Sequence, residues 1–341
     1  MSCDSSGISY PATYSVILFS IASSIGNVLI IMIVYRREEL RKTINYFIVN
    51  MAVSDFLFSL MAASVALLSI AVNSWQKPFG KNAGIMVCVV KLFLEGVSLT
   101  VSAQSVVWIA LDRFVAVVFP MKVHRITSKI RCFAIASTWV VSTLGNSFHF
   151  YSNRFFDENR KIVCAHFSNS TDSYLYYAKV YTALFQIVPF LAVTTLYSVI
   201  TVTLKRQDKV IDSTKIYQRN HRKQRAIRMT FCIVAAFYIC SLPFLMAALI
   251  FEYQIPASCS ILKVLWSVAS IMICVSLTVN PIICITFIQS YRNGLKEILR
   301  SCWSQRLRAR KMDNKEQATE IALQRLRTIP GVEDNLTLQR V

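Results

Sequence analysis

Little of this chain is charged. Asp, Glu, Lys and Arg make up 16% of its 341 residues, against 55% hydrophobic. The apolar residues come in runs of about 20 or more, enough to cross a ~30 Å hydrocarbon core, so length here counts membrane spans rather than soluble domains. Residues 1–13 lack Lys and Arg, and the first apolar run is long and carries Asn27. A cleavable signal peptide is not expected, and that run reads as an uncleaved first span. The ten cysteines show no CxxC or Cys/His metal spacing. Cys132, Cys232, Cys240 and Cys284 read as small core residues at span ends. None of His124, His149, His166 and His221 lies mid-span with a second ligand, which argues against an intramembrane enzyme. No repeat relates the two halves, which argues against a transporter, the main rival from another class.

What is there is a set of seven apolar spans, at 14–35, 46–72, 85–118, 130–151, 176–204, 226–251 and 261–288. The expected fold is an all-α membrane protein, a seven-transmembrane helix bundle with a short amphipathic helix after span 7. The net charge of +19 raises nucleic acid as a partner, but its distribution argues for no nucleic acid. The segments at 1–13, 73–84, 152–175 and 252–260 hold only Lys77, Lys81, Arg154, Arg160 and Lys161. The alternate segments hold Arg36, Arg37, Arg41, Lys42, Lys122, Arg125 and Lys129, then the basic stretch Lys205–Arg225 and a basic tail. The basic class faces the cytoplasm and the N-terminus lies outside, with the cytoplasmic charge toward anionic membrane lipids. The organisation expected is an extracellular N-terminus (1–13), a seven-span bundle (14–288), a membrane-surface helix (289–303) and a flexible basic cytoplasmic tail (304–341).

Polar groups inside the apolar runs are costly and mark sites. Span 1 carries Gly26-Asn27, span 2 Asn50 and Asp55, and span 3 Ser98, Ser102, Ser105 and then Asp112-Arg113. Glu95, two turns inside Cys88, is open to two readings: counter-ion for a cationic ligand, or local pairing with Lys91 at i−4. Trp139 sits in span 4, Pro189 and Tyr197 in span 5, Phe237 and Pro243 in span 6, and Asn280-Pro281 in span 7. Gly80 and Gly84 read as turn residues of an outer loop. RKIVCAHF around Cys164 has the short alternation of a hairpin. Cys88 and Cys164 both lie outside, where disulfides persist, and are expected to pair. Asn169 heads a glycosylation sequon on the same side. Tyr291, Leu295, Ile298 and Leu299 share one face of the surface helix, and Cys302 at its end is a palmitoylation candidate.

Together these residues resemble a rhodopsin-like (class A) G-protein-coupled receptor over roughly residues 14–303. Gly26-Asn27, Asn50 with Asp55, Cys88 ahead of Asp112-Arg113-Phe114, Trp139, Pro189 with Tyr197, Phe237 with Pro243, and Asn280-Pro281 follow the family pattern in order. The resemblance implies a multi-pass plasma-membrane protein with a cytoplasmic C-terminus that activates heterotrimeric G proteins. It implies that Asp112 holds Arg113 at rest, that Tyr197, Phe237, Pro243, Asn280 and Pro281 take part in the switch, and that Asp55, Ser102 and Asn280 form a pocket for an allosteric sodium ion, with no other cofactor. The sequence departs from the pattern at Phe114, at Ser241 in place of the span-6 tryptophan, at Cys284 in place of the span-7 tyrosine, and in having no acid at the base of span 6.

Cys274 stands where opsins carry their retinal lysine, so a photoreceptor is not expected. The runs NYFIVNMAVSDFLF and ALDRFVAVVFPM look most like neuropeptide receptors of the neuropeptide-FF, RFamide and tachykinin sort. Glu95, Leu99, His166, Phe244, Ala248, Trp266 and Ser270 are the ligand-binding candidates, with acidic Asp157, Glu158, Asp172 and Glu252 nearby suiting a basic peptide. The alternative ligand is an amine held by Glu95. A second disulfide between Cys3 and Cys259 is carried by some peptide receptors, and two free thiols are the alternative. The tail has few Ser and Thr, which leaves arrestin a weaker partner.

Overall fold

In a computed structural model of the chain, the described residues are 10–71, 76–121, 127–152, 157–158, 161–162, 172–208 and 214–327. The elements run α1 (Tyr10–Arg36), α2 (Thr43–Ala71), α3 (Gln76–Val118), α4 (Ser128–Asn146), a single turn α5 (His149–Ser152), a hairpin of β1 (Asp157–Glu158) and β2 (Lys161–Ile162), α6 (Asp172–Thr182), a π-helical turn (Ala183–Ile187), α7 (Val188–Asp208), α8 (Thr214–Glu252), α9 (Cys259–Phe287) and α10 (Gln289–Arg327). Two compact units divide the chain, residues 1–291 and 292–341. The first is the helix bundle and the second holds most of α10.

The bundle is turned inside out relative to a water-soluble fold. Leu18, Leu144, Leu191, Ile239 and Val264 are exposed, while Ser20, Ser23, Ser54, Asp55, Ser105 and Thr138 are wholly buried. Such an apolar exterior is stable only against lipid, and lipid forces polar groups to find partners inside the bundle. Six described helical segments are long and apolar enough to cross a membrane. The seventh, α4, falls short because Lys129, Arg131 and a series of hydroxyl residues dilute its 19 residues. α3 is the central helix, in contact with α2, α4, α7, α8 and the hairpin strand β2, and α9 closes the bundle against α1 and α8.

Local chemistry fixes the helix ends and bends. Ser258 and Thr127 cap α9 and α4, each accepting from the N–H three residues on. The π-turn immediately precedes Pro189, whose ring removes the bond to the carbonyl one turn earlier, so the helix widens there instead of breaking. Pro281 frees the Leu277 carbonyl in the same way, and Asn27 Nδ2 of α1 donates to it at 3.2 Å. Gly26 lies beside this contact, and a Cβ there would meet Pro281 Cγ at 2.9 Å, so only glycine permits the close approach of α1 and α9.

Several boundaries differ from those the sequence predicts. α3 starts at Gln76, so Gly80 and Gly84 are helical residues and not turn residues; Pro78 fits in the first helical turn, where its missing N–H costs nothing. The hairpin lies earlier, with Asp157 opposite Ile162 and Glu158 opposite Lys161. α10 does not stop at residue 303 but continues to Arg327, since nothing in the polar stretch breaks a helix before then. Cys240 and Cys284 are buried, but Cys132 is exposed and is not a core residue.

Candidate functional site

The polar interior forms three clusters stacked along the bundle. Near the C-terminal end of α3, Arg113 donates to Asp112 Oδ2 at 2.8 Å, both side chains being mostly buried. Arg113 Nε is enclosed with no hydrogen-bond partner among the described residues. Tyr197 on α7 is close enough for its phenol to interact with Arg113 and Thr230, although no bond of normal geometry satisfies its hydroxyl. Its ring meets Phe231 edge-on at 5.8 Å. The site is thus a guanidinium with spare donor capacity, loosely partnered on the side facing α7 and α8.

The second cluster lies deeper. Asp55 on α2 is wholly buried and accepts from Ser102 on α3 and, at 3.0 Å, from Asn280 Nδ2 on α9. The expected trio is therefore brought together by three helices. Ser54 lies 2.8 Å from Ser102, and Met51 Sδ 3.8 Å from Asn280 Nδ2. Asn280 Oδ1 and Ser276 Oγ are buried without a hydrogen-bond partner among the described residues, and Ser276 is one turn before Asn280 on the same face of α9. A carboxylate with orphaned neutral oxygens is the donor set that suits a hard cation, so these residues fit the sodium ion that the sequence implies.

The third cluster occupies the opposite half of the bundle, around the N-terminal part of α3. Leu99 of α3 and Phe244 of α8 pack on a core of Val16, Phe58, Ala62, Ile273, Cys274 and Leu277. Phe244 meets Trp266 at 5.7 Å in a T-shaped arrangement, and Ser270 donates to the Trp266 carbonyl one turn away. Ala248 is buried. Glu95 pairs with Lys91 at 3.2 Å, the local reading of the two, so its charge is already matched. Glu252 is not a solvated surface acid: it is buried, one carboxylate oxygen accepts from Thr182 at 2.5 Å, and the other has no partner among the described residues. Lys179 lies nearby, its ammonium 4.9 Å over the Tyr253 ring. Cys88 is buried and disulfide-bonded. Cys3, Cys164, His166 and Asn169 lie outside the described residues, as do the side chains of Cys259 and Cys302.

Two hubs were not singled out as such from sequence. Asn50 accepts from Trp139 Nε1 at 2.9 Å and donates to Ser105 and Thr138, joining α2, α3 and α4. The signal available was the buried indole N–H, which needs an acceptor. Asn146 donates to Thr100 at 3.0 Å and accepts from Tyr181 at 3.0 Å, joining α3, α4 and α6. Its position inside an apolar run carried the same warning.

Residues 26–283 match the family described as 7 transmembrane receptor (rhodopsin family). Among curated proteins, the RYamide receptor of Drosophila melanogaster is 26% identical over 81% of this chain, a match covering 60% of that protein. The QRFP-like peptide receptor of Branchiostoma floridae is 28% identical over 68% of this chain and 61% of its own length. The neuromedin-U receptor 2 of Rattus norvegicus is 26% identical over 86% of this chain and 76% of its own. The chain thus spans about 60% of the length of the first two relatives. With the family match covering most of the bundle, this multi-pass membrane protein belongs to the rhodopsin family of seven-transmembrane receptors.

Proposed function

We propose that this chain is a plasma-membrane receptor, N-terminus outside and C-terminus cytoplasmic, that binds an extracellular neuropeptide and activates heterotrimeric G proteins. The observation that carries this reading is the Asp112–Arg113 pair near the C-terminal end of α3, with Arg113 Nε unpartnered among the described residues. In this state Asp112 holds the guanidinium. An outward swing of α8, eased by Pro243 and by the Ser241 hydroxyl bonding back to the Phe237 carbonyl at 2.7 Å, frees Arg113 to bind a carbonyl or carboxylate of the G protein. The ligand shifts this equilibrium only by binding the open state more tightly.

A peptide fits better than an amine. Glu95 is already neutralised by Lys91, whereas Glu252 at the outer end of α8 keeps one carboxylate oxygen unpartnered for a basic group. The relatives are named for peptides. The test is nucleotide exchange on purified G-protein heterotrimers, screened with amidated basic peptides and biogenic amines. Activation by a peptide, weakened at least about tenfold by Glu252→Gln and little by Glu95→Gln, supports the reading; a lost charge-assisted bond is worth roughly that factor. Activation by an amine that Glu95→Gln abolishes overturns it.

Asp55, Ser102 and Asn280 are proposed to hold a sodium ion, which neutralises the buried carboxylate and ties α2, α3 and α9 together. Basic residues of the cytoplasmic segments are proposed to face anionic lipid.

A further inference from the structure

The last helix, α10, continues well past the stretch expected to lie on a membrane and runs unbroken to Arg327. From Arg292 on it belongs to a compact unit of its own. Leu299, Trp303 and Met312 are large apolar side chains, 58%, 66% and 65% exposed. From Leu299 to Met312 the sequence holds Arg300, Arg306, Arg308, Arg310 and Lys311, and no acid. The segment is thus a preformed helix with uncovered apolar groups and charge of one sign.

Helical geometry separates the apolar groups. Successive residues turn by about 100°, so Leu299 and Trp303 share one face. Arg306 and Arg310 fall on that same face, and both are exposed. Met312 lies about half a turn round the helix from Trp303 and about 14 Å further along it. A flat leaflet accepts a single apolar face. Laying the Trp303 face of this segment on lipid would carry two guanidinium groups toward hydrocarbon, at high cost, and leave Met312 in water. Apolar groups on opposite faces of a basic helix fit a partner that wraps the helix, with two apolar cups and an acidic surface.

We propose that residues 299–312 of α10 are a docking site for an acidic, two-lobed helix-binding protein of the calcium-bound calmodulin type. One lobe takes Trp303 with Leu299 and the other takes Met312, in methionine-lined grooves that such a protein exposes when it holds calcium. The basic residues between these anchors meet its acidic rims, which steers the encounter. The helix is already formed, so little ordering entropy opposes binding. The clamp and the leaflet compete for Leu299 and Trp303, so calcium lifts this part of α10 from the membrane. The inference rests on the cytoplasmic C-terminus of the receptor reading above.

The experiment uses the full chain in lipid nanodiscs, with fluorophore-labelled calmodulin as the probe and anisotropy read in calcium and in EGTA. Binding is expected in calcium and lost in EGTA. Trp303→Ala and Met312→Ala are each expected to weaken it at least about tenfold, as truncating a buried anchor does. Met312→Leu, which keeps an apolar anchor of similar volume, retains it. Arg306→Glu combined with Arg310→Glu weakens it and flattens its dependence on salt. No binding in calcium overturns the proposal, as does binding that both alanine variants leave unchanged, which marks bare charge attraction. Hydrogen exchange at residues 299–312 reads the competing outcome. Protection by phosphatidylserine in the nanodisc, undisturbed by calmodulin, makes lipid the partner and overturns the proposal. A C-terminal epitope reached by antibody on intact cells contradicts the receptor topology, while the nanodisc measurement still decides the docking site.

Discussion

Asn50 shows what one side chain does in a lipid-facing bundle. Its carbonyl oxygen takes the Trp139 indole and its amide serves Ser105 and Thr138. Truncation strands the Trp139 N–H, at about 1–3 kcal/mol if no water reaches it, and also removes the donor to Ser105 and Thr138, whose hydroxyls keep their bonds to the Val101 and Ile135 carbonyls. Asn50→Ala should therefore cost more than Trp139→Phe, which removes a single bond along with its donor. Thermal unfolding of detergent-solubilised protein checks this, and equal losses would mean that Asn50 is not the hub. At this scale the sequence was most legible where chemistry is expensive. Asp55, Ser102 and Asn280 were read as partners and lie in hydrogen-bond contact. Tyr291 was less legible, because an amphipathic pattern says which way a side chain starts and not whether another helix covers it, and this ring is wholly buried.

Elements carry the next level of the argument. α1 and α9 meet through Gly26 against Pro281 and through Asn27 bonded to the Leu277 carbonyl that Pro281 frees. Steric fit and hydrogen bonding are thus separable at neighbouring positions. Gly26→Leu forces a side chain into the Pro281 ring and should destabilise by about 1–3 kcal/mol through overpacking. Asn27→Leu instead strands a carbonyl in hydrocarbon, a similar loss by a different route. Lowering the size at position 281 should rescue the first variant and not the second, measured as surface expression and unfolding temperature. Span order and rough limits were readable from hydropathy because each run must bury about 20 residues in lipid. The extra turns at the start of α3 and α8 and the long course of α10 were not, since nothing apolar requires a helix outside the bilayer. The π-turn before Pro189 was equally hidden: the proline announces a lost bond, and neighbouring helices decide how it is absorbed.

At the scale of the whole molecule, the polar clusters form a column through an apolar shell, from Glu95 through Asp55 to Arg113. Such a column has few ways to be satisfied, so changing one cluster biases the arrangement of the helices that share it. Asp55 is the point where α2, α3 and α9 share one carboxylate, with Asn280 Oδ1 and Ser276 Oγ lacking hydrogen-bond partners among the described residues. A cation there stabilises whichever arrangement gathers these oxygens, by RT ln(1 + [L]/Kd), about 1.4 kcal/mol at tenfold Kd. Replacing choline chloride by sodium chloride at constant ionic strength should then raise the unfolding temperature and lower basal nucleotide exchange together. Asp55→Asn should abolish both responses, because the amide no longer supplies the charge, while leaving the Asp112–Arg113 pair untouched. A protein whose unfolding temperature ignores the sodium-for-choline exchange does not use this pocket for the ion. If stability responds but basal exchange does not, the ion is structural, and the column does not couple the pocket to the Asp112–Arg113 pair.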